Sequence, residues 1–300
     1  MRDYLSRIAK FALIFFVLTN MLAFWCDLII KKSQIFKPNW IMNRRVSDNI
    51  ILGSSRALTG VNTALLISQT NDSWTNLSID DTPIEVHLLE LKLLIEQGIV
   101  PRTVLLQYDR GERFEDRESR FSDRDYQFLP WSFTKGSKPI WEYLKSKENG
   151  FGAMIYSVPI FRYSYYNTEL FFSALKLVLN PNYSHRSNRI GDYSYPDDLN
   201  DLESKKCYKA KDKVIVNLDD PKFQEFVRLC NAHKINLVVF TAPYLDKLVE
   251  YKGGKPTSVV NLSGLLKCAN NFYDDLHIKS SARDSVTIEL LKYIKVNDVL

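Results

Sequence analysis

The chain has 300 residues, a net formal charge of +5, 45% hydrophobic residues and 25% charged residues. This length suits one large α/β domain with an insertion or two smaller domains, and the ordinary composition argues against widespread disorder. The basic residues are scattered among acidic ones, and no zinc-type Cys/His spacing occurs, so we expect no nucleic-acid partner, no metal site and no cofactor. The four cysteines are widely separated, which allows one disulfide among Cys207, Cys230 and Cys268 but no framework of several.

The N-terminal stretch from Phe11 to Ile30 is an apolar run of about twenty residues, the length that spans a bilayer as a helix. A cleavable signal peptide is one alternative. Against it, Phe24, Trp25 and Cys26 stand where cleavage would need small residues. The stretch therefore favours an uncleaved anchor.

Two polar residues, Asn20 and Asp27, interrupt this apolar run, and both are costly in lipid. A buried helix of a soluble domain is therefore a second alternative. We predict a membrane anchor over residues 1–30 and a basic juxtamembrane linker over residues 31–45.

Short apolar runs and helical periods alternate along the next part of the chain, residues 46–109. An apolar run that ends in glycine is typical of a strand covered on both faces. The predicted elements are a strand over 46–53, a helix over 57–69, a strand over 74–79, a helix over 83–98 and a strand over 102–108. The order β-α-β-α-β predicts a parallel sheet.

Residues 110–215 are predicted to be an aromatic-rich insertion that covers the carboxyl edge of this sheet. It begins with a mixed-charge stretch at 110–124, contains a helix over 160–179 and has a polar, Tyr-rich loop over 180–202. Aromatic rings stack on sugar faces, and packing within the insertion itself is the alternative. The elements predicted after it are a helix over 220–233, a strand over 235–241, a short helix over 244–251 and a terminal helix over 286–294.

Several polar elements lie at predicted strand ends or on comparable loops. Ligands of parallel sheets bind beyond the carboxyl ends of the strands, so we expect these elements to share one site. They are Gly53-Ser54-Ser55, Asn76-Leu77-Ser78, Gln107-Tyr108-Asp109 and the segment from Asp274 to His277.

Ser55 and His277 supply the reactive groups of a hydrolytic triad. Ser55 follows a glycine at a strand end, where a sharp turn exposes a nucleophile, although helix capping by Ser54 or Ser55 is the alternative. His277 is the one histidine of four with a carboxylate three residues upstream, Asp274, which would orient the imidazole. Asp275 is the rival for that role.

The segment from Ile50 to Arg56 resembles the first conserved block of the SGNH/GDSL hydrolase superfamily. The segment from Asp274 to His277, which precedes a terminal helix, resembles its last block, Asp-x-x-His. The resemblance covers residues 46–109 and 220–295. It implies one three-layer α/β sandwich with a parallel, flavodoxin-like sheet over residues 46–300.

Carried over by position, the resemblance implies that Ser55 is the nucleophile, Asp274 the orienting acid and His277 the base. The chain also departs from the family pattern. Ser54 stands where Asp is usual, and Ser78 stands near the place of the oxyanion-hole glycine.

No Gly-x-Asn-Asp block follows the third predicted strand, where Tyr108-Asp109 stands instead. Ser78, Asp109 and Arg56 are therefore the candidate oxyanion or substrate-binding residues.

Altered blocks behind an N-terminal anchor are similar to those of membrane-bound SGNH-like proteins of bacterial envelope pathways. The resemblance implies a membrane-anchored serine esterase or O-acyltransferase that acts on a cell-envelope glycan. It also implies a single pass through the inner membrane, a catalytic domain outside the cytoplasm, and an acylated glycan, an acyl donor and a membrane-bound acyltransferase as partners. The alternative is a catalytically inactive SGNH-like protein that binds or scaffolds polysaccharide assembly.

Overall fold

The fold is α/β and includes a parallel sheet of five strands and one long apolar helix at the N-terminus. A computed structural model describes residues 1–109, 125–147, 158–164, 168–184, 187–193, 206–210, 212–254 and 258–296. The predicted mixed-charge stretch at 110–124 and parts of the predicted loop at 180–202 lie outside the described residues.

The described helices and strands alternate along part of the chain, while β5, β6 and β7 follow one another without a helix between them. The helices are α1 (Arg2–Lys32), α2 (Lys37–Met42), α3 (Ser55–Gly60), α4 (Thr63–Thr70), α5 (Ile84–Glu96), α6 (Lys138–Lys147), α7 (Pro159–Ser164), α8 (Thr168–Leu179), α9 (Pro221–Ala232) and α10 (Arg283–Val296). The strands are β1 (Asn49–Leu52), β2 (Trp74–Asn76), β3 (Thr103–Gln107), β4 (Asp212–Asn217), β5 (Asn236–Thr241), β6 (Lys247–Lys252) and β7 (Val259–Asn261). Short 3₁₀ helices lie at Asp125–Trp131, Ala269–Asn271 and Ser280–Ala282.

The larger sheet has the strand order β2-β1-β3-β5-β7, and all of its strand pairs are parallel. The chain passes from β1 to β2 on one side and then to β3 on the other, so the order reverses beside β1. In open parallel sheets such a switch point opens a crevice beyond the carboxyl ends of the strands. The predicted parallel sheet is confirmed. Its topology places the crevice at the residues that follow β1 and β3.

Neighbouring residues of the central strands belong to two separate hydrophobic clusters, because side chains alternate between the two faces of a sheet. Ile50 and Leu52 share a cluster with residues of α5 and α9. Ile51 lies in the other cluster, with residues of α3, α4 and α10. All residues of β1 and β3 are buried, as expected for strands covered on both sides.

One predicted helix is split in the structure, and another is described in two parts. The helix predicted over 57–69 is α3 followed by α4, because Asn62 caps α4 by accepting a hydrogen bond from the Leu65 N–H at 3.1 Å. The helix predicted over 160–179 is α7 followed by α8.

The short helix predicted over 244–251 is wrong. This segment contains β6, which pairs in parallel with β4 in a second, two-stranded sheet. Val249 is buried between the exposed Leu248 and Glu250, which is the two-residue period of a strand. Its partner β4 is remote in sequence, so the local pattern gave no indication of the pairing.

The segment predicted as a juxtamembrane linker, 31–45, also differs from the prediction. It contains α2, whose residues from Lys37 to Ile41 are buried. The Asn39 side-chain amide donates a hydrogen bond to the Ile30 carbonyl at 2.7 Å, which ties α2 to the end of α1. The segment therefore packs into the domain and is not an extended linker.

The helix α1 is long and apolar enough to cross a membrane, a test that an N-terminal signal sequence would also pass. Most of its large apolar side chains are exposed. Its buried residues are Ala23, Cys26, Asp27 and Ile30, which lie in the half nearer the domain.

Candidate active site

Ser55, His277 and Asp274 form a continuous chain of polar contacts beyond the carboxyl end of β1. His277 Nε2 lies 2.8 Å from Ser55 Oγ. His277 Nδ1 lies 2.7 Å from Asp274 Oδ2 and 3.0 Å from Oδ1. The order hydroxyl, imidazole and carboxylate, at hydrogen-bond distances, is the arrangement by which serine hydrolases activate a nucleophile.

A tight turn explains why a spacing of three residues brings Asp274 against His277. Asp274 Oδ1 accepts hydrogen bonds from the backbone N–H groups of Leu276 at 2.8 Å and His277 at 2.7 Å. Burial alone would raise the pKa of Asp274, but the bond to the His277 ring, its charge and the two amides together lower it below the ordinary value. Asp275 is exposed, so the structure brings Asp274 rather than its rival to the imidazole.

Backbone hydrogen bonds close the segment around this turn, and a disulfide lies just upstream of it. The Tyr273 N–H donates a hydrogen bond to the His277 carbonyl at 2.8 Å, and the Lys279 N–H donates one to the Asn271 carbonyl at 2.9 Å. Cys268, just upstream, forms a disulfide with Cys207. The acid and the base are therefore positioned before any substrate arrives.

Ser55 is the first residue of α3, and the chain reaches it through a close approach at Gly53. A Cβ atom at Gly53 would lie 2.7 Å from the Cβ atoms of both Ala57 and Gln107, so only glycine fits there. As the first helical residue, Ser55 has a backbone N–H that no intrahelical carbonyl accepts. This N–H is a candidate donor to a developing oxyanion.

Ser54 belongs to a buried network rather than to the triad. Its N–H and its hydroxyl both donate hydrogen bonds to Gln107 Oε1, each at 2.9 Å. The Gln107 side-chain amide donates a hydrogen bond to Asp109 Oδ1. Asp109 Oδ2 accepts one from the Ala242 N–H at 2.9 Å and pairs with Arg56 Nη1 at 2.8 Å. This network joins the ends of β1, β3 and β5.

Arg56 and Asp109 were predicted to contact an oxyanion or substrate, but the structure places both in this buried network. Arg56 Nη2 donates hydrogen bonds to the Ala242 and Pro243 carbonyls at 2.7 and 2.6 Å. Its guanidinium lies 3.5 Å from the centre of the Tyr244 ring. Both residues are buried, so we assign them the structural task of holding the loops around the site.

We expect Arg56→Met to lower the free energy of unfolding by about 3–5 kcal/mol, because the buried Asp109 carboxylate would lose its charged partner. Denaturant unfolding of the full chain in detergent would measure the loss. Lys213→Met is the matched control, since it removes an exposed ion pair with Glu250 and is expected to have little effect. Equal losses in the two variants would contradict the structural assignment of Arg56.

A cavity of about 580 Å³ opens beside Ser55, and Ser78 forms part of its wall. The Ser78 N–H already donates a hydrogen bond to Asn76 Oδ1 at 3.1 Å. The Ser78 hydroxyl is buried and has no hydrogen-bond partner among the described residues. Ser78 can therefore offer a hydroxyl, but not its amide, to a bound group.

Lys37 lines the same cavity, although its place in the sequence did not indicate a site residue. Its ammonium group donates hydrogen bonds to the Asn76 and Gly191 carbonyls at 2.7 and 2.6 Å. Burial lowers its pKa to about 8, against the opposing charges of Asp192 and Glu90. In the sequence it stands in a basic stretch after an apolar helix, which is also the pattern of a lysine that flanks a membrane span.

No family model matches the chain, and no curated protein matches it. The resemblance of the two sequence blocks to SGNH hydrolases therefore stays a prediction. Among the described residues, no group of three or more His, Cys, Asp or Glu side chains is placed to hold a metal ion.

Proposed function

We propose that the protein is a membrane-anchored serine esterase or O-acyltransferase of the SGNH type. The observation that carries the proposal is the chain of contacts from Ser55 through His277 to Asp274, at 2.8 and 2.7 Å. Ser55 Oγ attacks the ester carbonyl while His277 Nε2 takes its proton. Asp274 holds the proton on Nδ1 and stabilises the imidazolium that forms.

The second half of the reaction uses the same residues. His277 gives its proton to the departing alcohol, which leaves the acyl group on Ser55 as an ester. His277 then activates either water, which completes hydrolysis, or a sugar hydroxyl, which completes transfer. The proposal includes the fold: a three-layer sandwich of the SGNH type. Helices that contact both faces of the parallel sheet support it.

We further propose an acylated cell-envelope glycan as the substrate, with an acyl donor and a membrane-bound acyltransferase as partners. Tyr183 and Tyr193 line the cavity and are half-buried, and such rings suit stacking on sugar faces. The disulfide between Cys207 and Cys268 supports a location outside the cytoplasm, where disulfides persist. In this proposal α1 is a single pass through the inner membrane.

The Ser55 N–H and the Ser78 hydroxyl are the proposed donors to the oxyanion. We expect Ser78→Ala to reduce kcat about 10²–10³-fold with little change in KM, because the hydroxyl would act mainly in the transition state. Steady-state hydrolysis of a soluble acyl ester would measure both constants. Ser173→Ala is the control, since Ser173 lines the same cavity from α8. Unchanged kcat in Ser78→Ala would remove Ser78 from the mechanism.

A second candidate function is a catalytically inactive SGNH-like protein that binds or scaffolds polysaccharide assembly. One observation favours it: the Ser78 N–H is occupied by Asn76, so it is not available to an oxyanion. A chain that binds envelope polysaccharide but turns over no ester would support this candidate.

Rapid mixing with 4-nitrophenyl acetate tests the enzymatic proposal directly. The full chain in detergent should release about one equivalent of nitrophenolate in a burst, followed by slower turnover, because the acyl-enzyme accumulates. Absence of both burst and turnover would contradict the proposal. Transfer would be recognised by faster turnover when a sugar acceptor is added.

A further inference from the structure

Asn20 and Asp27, the two residues of the apolar stretch of α1 that are most costly in lipid, have partners on α7. Asn20 Oδ1 accepts a hydrogen bond from the Ile160 N–H at 3.3 Å. Asp27 accepts hydrogen bonds from Arg162 and, at 2.7 Å, from the Tyr163 hydroxyl. Polar groups in lipid need such partners, because an unsatisfied donor or charge is costly there. The two side chains that would be unfavourable in lipid on an isolated α1 helix are therefore hydrogen-bonded to α7.

The helix α8, which follows α7 and packs on α1, is apolar on its exposed side. Leu170, Ala174 and Leu177, at helical spacing, are buried against the domain. A helix that faces water would carry mostly polar side chains on the opposite side. Its exposed residues instead include Phe171, Phe172, Leu175, Val178 and Leu179, and Lys176 is the one charged residue among the described exposed side chains of α8. This surface lies beside the exposed apolar surface of α1, and an apolar patch of this kind marks an interaction site.

The residues of α1 that α7 contacts determine how deep α7 would lie in a bilayer. The apolar residues from Phe11 to Ile30 rise about 1.5 Å each and so cover about 30 Å, the thickness of a hydrocarbon core. Asn20 lies at the middle of this stretch, and Asp27 lies in the half nearer the domain. If α1 crosses a bilayer over these residues, the contacts with α7 lie below the lipid surface.

We propose that α7 and α8 are immersed in the bilayer beside the second half of α1, and that the cavity receives its acyl substrate from the membrane as an amphiphile. The immersion rests on the proposed membrane span, and the substrate class rests on the proposed function. Phe172, Ser173 and Lys176 of α8 line the same cavity as Ser55. A lipid-borne acyl group at α8 would thus reach the nucleophile without crossing water.

Site-directed fluorescence tests the immersion independently of catalysis. Single cysteines labelled with an environment-sensitive dye are placed at Leu175 on α8, at Phe15 on α1 and at Leu248 on β6, all exposed positions. The full chain is reconstituted in phospholipid vesicles that carry nitroxide groups on the acyl chains. We expect the nitroxide lipids to quench the dye at Leu175 and Phe15 severalfold more than the dye at Leu248.

Two outcomes would overturn the inference. Quenching at Phe15 but not at Leu175 would leave α1 in the membrane and α8 outside it. No quenching at either Phe15 or Leu175 would contradict the proposed membrane span of α1 as well. Neither result depends on esterase activity, so failure of the inference is distinguishable from failure of the proposed catalysis.

A second measurement tests the source of the substrate. Leu175 does not line the cavity, and Leu175→Asp would place a charge on the side of α8 that faces lipid. We expect this variant to cleave a vesicle-borne acyl ester about tenfold more slowly than wild type, with unchanged cleavage of a soluble short-chain ester. Equal rates of wild type and variant on the vesicle-borne ester would overturn supply from the membrane, as would equal losses on both esters.

Discussion

Replacing Ser55 by alanine is expected to reduce ester turnover by about 10⁴–10⁶-fold, because the reaction loses the atom that forms the acyl-enzyme bond. The fold should persist, since the Ser55 hydroxyl contacts His277 at 2.8 Å and contributes little packing. Measurement of kcat/KM together with thermal unfolding would separate the two effects. The variant should unfold near the wild-type temperature while it turns over almost no ester.

Ser54→Ala is the matched control for this variant. Ser54 is the neighbouring serine, also buried, and its hydroxyl donates a hydrogen bond to Gln107 rather than to the imidazole. Loss of one such hydrogen bond costs about 0.5–1.5 kcal/mol of stability and removes no reacting atom. Retained turnover in Ser55→Ala, with loss in Ser54→Ala, would mean that the nucleophile is assigned to the wrong serine.

Asp274→Asn is expected to lower kcat by about 10⁴-fold, the effect of the equivalent change in a well-studied serine protease. An asparagine fits the same space but no longer supplies a charge to the imidazolium, and its amide favours the wrong tautomer of His277. Steady-state kinetics of the full chain would measure the loss. Asp275→Asn is the control, because Asp275 is exposed beside the triad and should keep nearly wild-type turnover.

The ionisation of Asp274 also predicts a pH dependence of stability. Its folded-state pKa lies below the ordinary value of 3.8, so the ionised carboxylate stabilises the fold above that pH. This contribution is lost as the pH falls through the lower folded-state pKa, and Asp274→Asn lacks it. The difference in unfolding free energy between wild type and variant should therefore shrink as the pH falls below about 4. It should stay under about 1 kcal/mol, since water screens a carboxylate that is 40% exposed.

The centre of the sheet was predictable because its strands are buried on both faces. The strands β1, β3 and β5 appear in the sequence as continuous apolar runs, and the helices between them have clear periods. The place of Ser55 at the carboxyl edge followed from the same alternation, since parallel strands bring their carboxyl ends to one edge. The place of His277 was expected from the upstream carboxylate and the resemblance to the last SGNH block, because its segment does not directly follow a strand of the sheet. The turn at Asp274 is local, so the three-residue spacing between Asp274 and His277 could be recognised in the sequence as well.

What the sequence did not reveal depends on contacts between remote residues. Arg56 looked available to a substrate until the structure placed it between Asp109 and the carbonyls that follow β5. Lys37 looked like a flanking lysine because its carbonyl partners, at Asn76 and Gly191, lie far away in sequence. The alternation of buried and exposed residues in β6 could be assigned to a strand only once its partner β4, distant in sequence, was known.

Labelling with a fluorophosphonate tests the central claim most directly, because this reagent forms a stable bond only with an activated serine. The full chain in detergent would be treated with the probe, digested and examined by peptide mass spectrometry. The proposed triad predicts an adduct on Ser55 in the wild type, none on that residue in Ser55→Ala, and much slower labelling in His277→Ala. Wild-type protein that acquires no adduct on Ser55, under conditions that label a known serine hydrolase, would contradict the account.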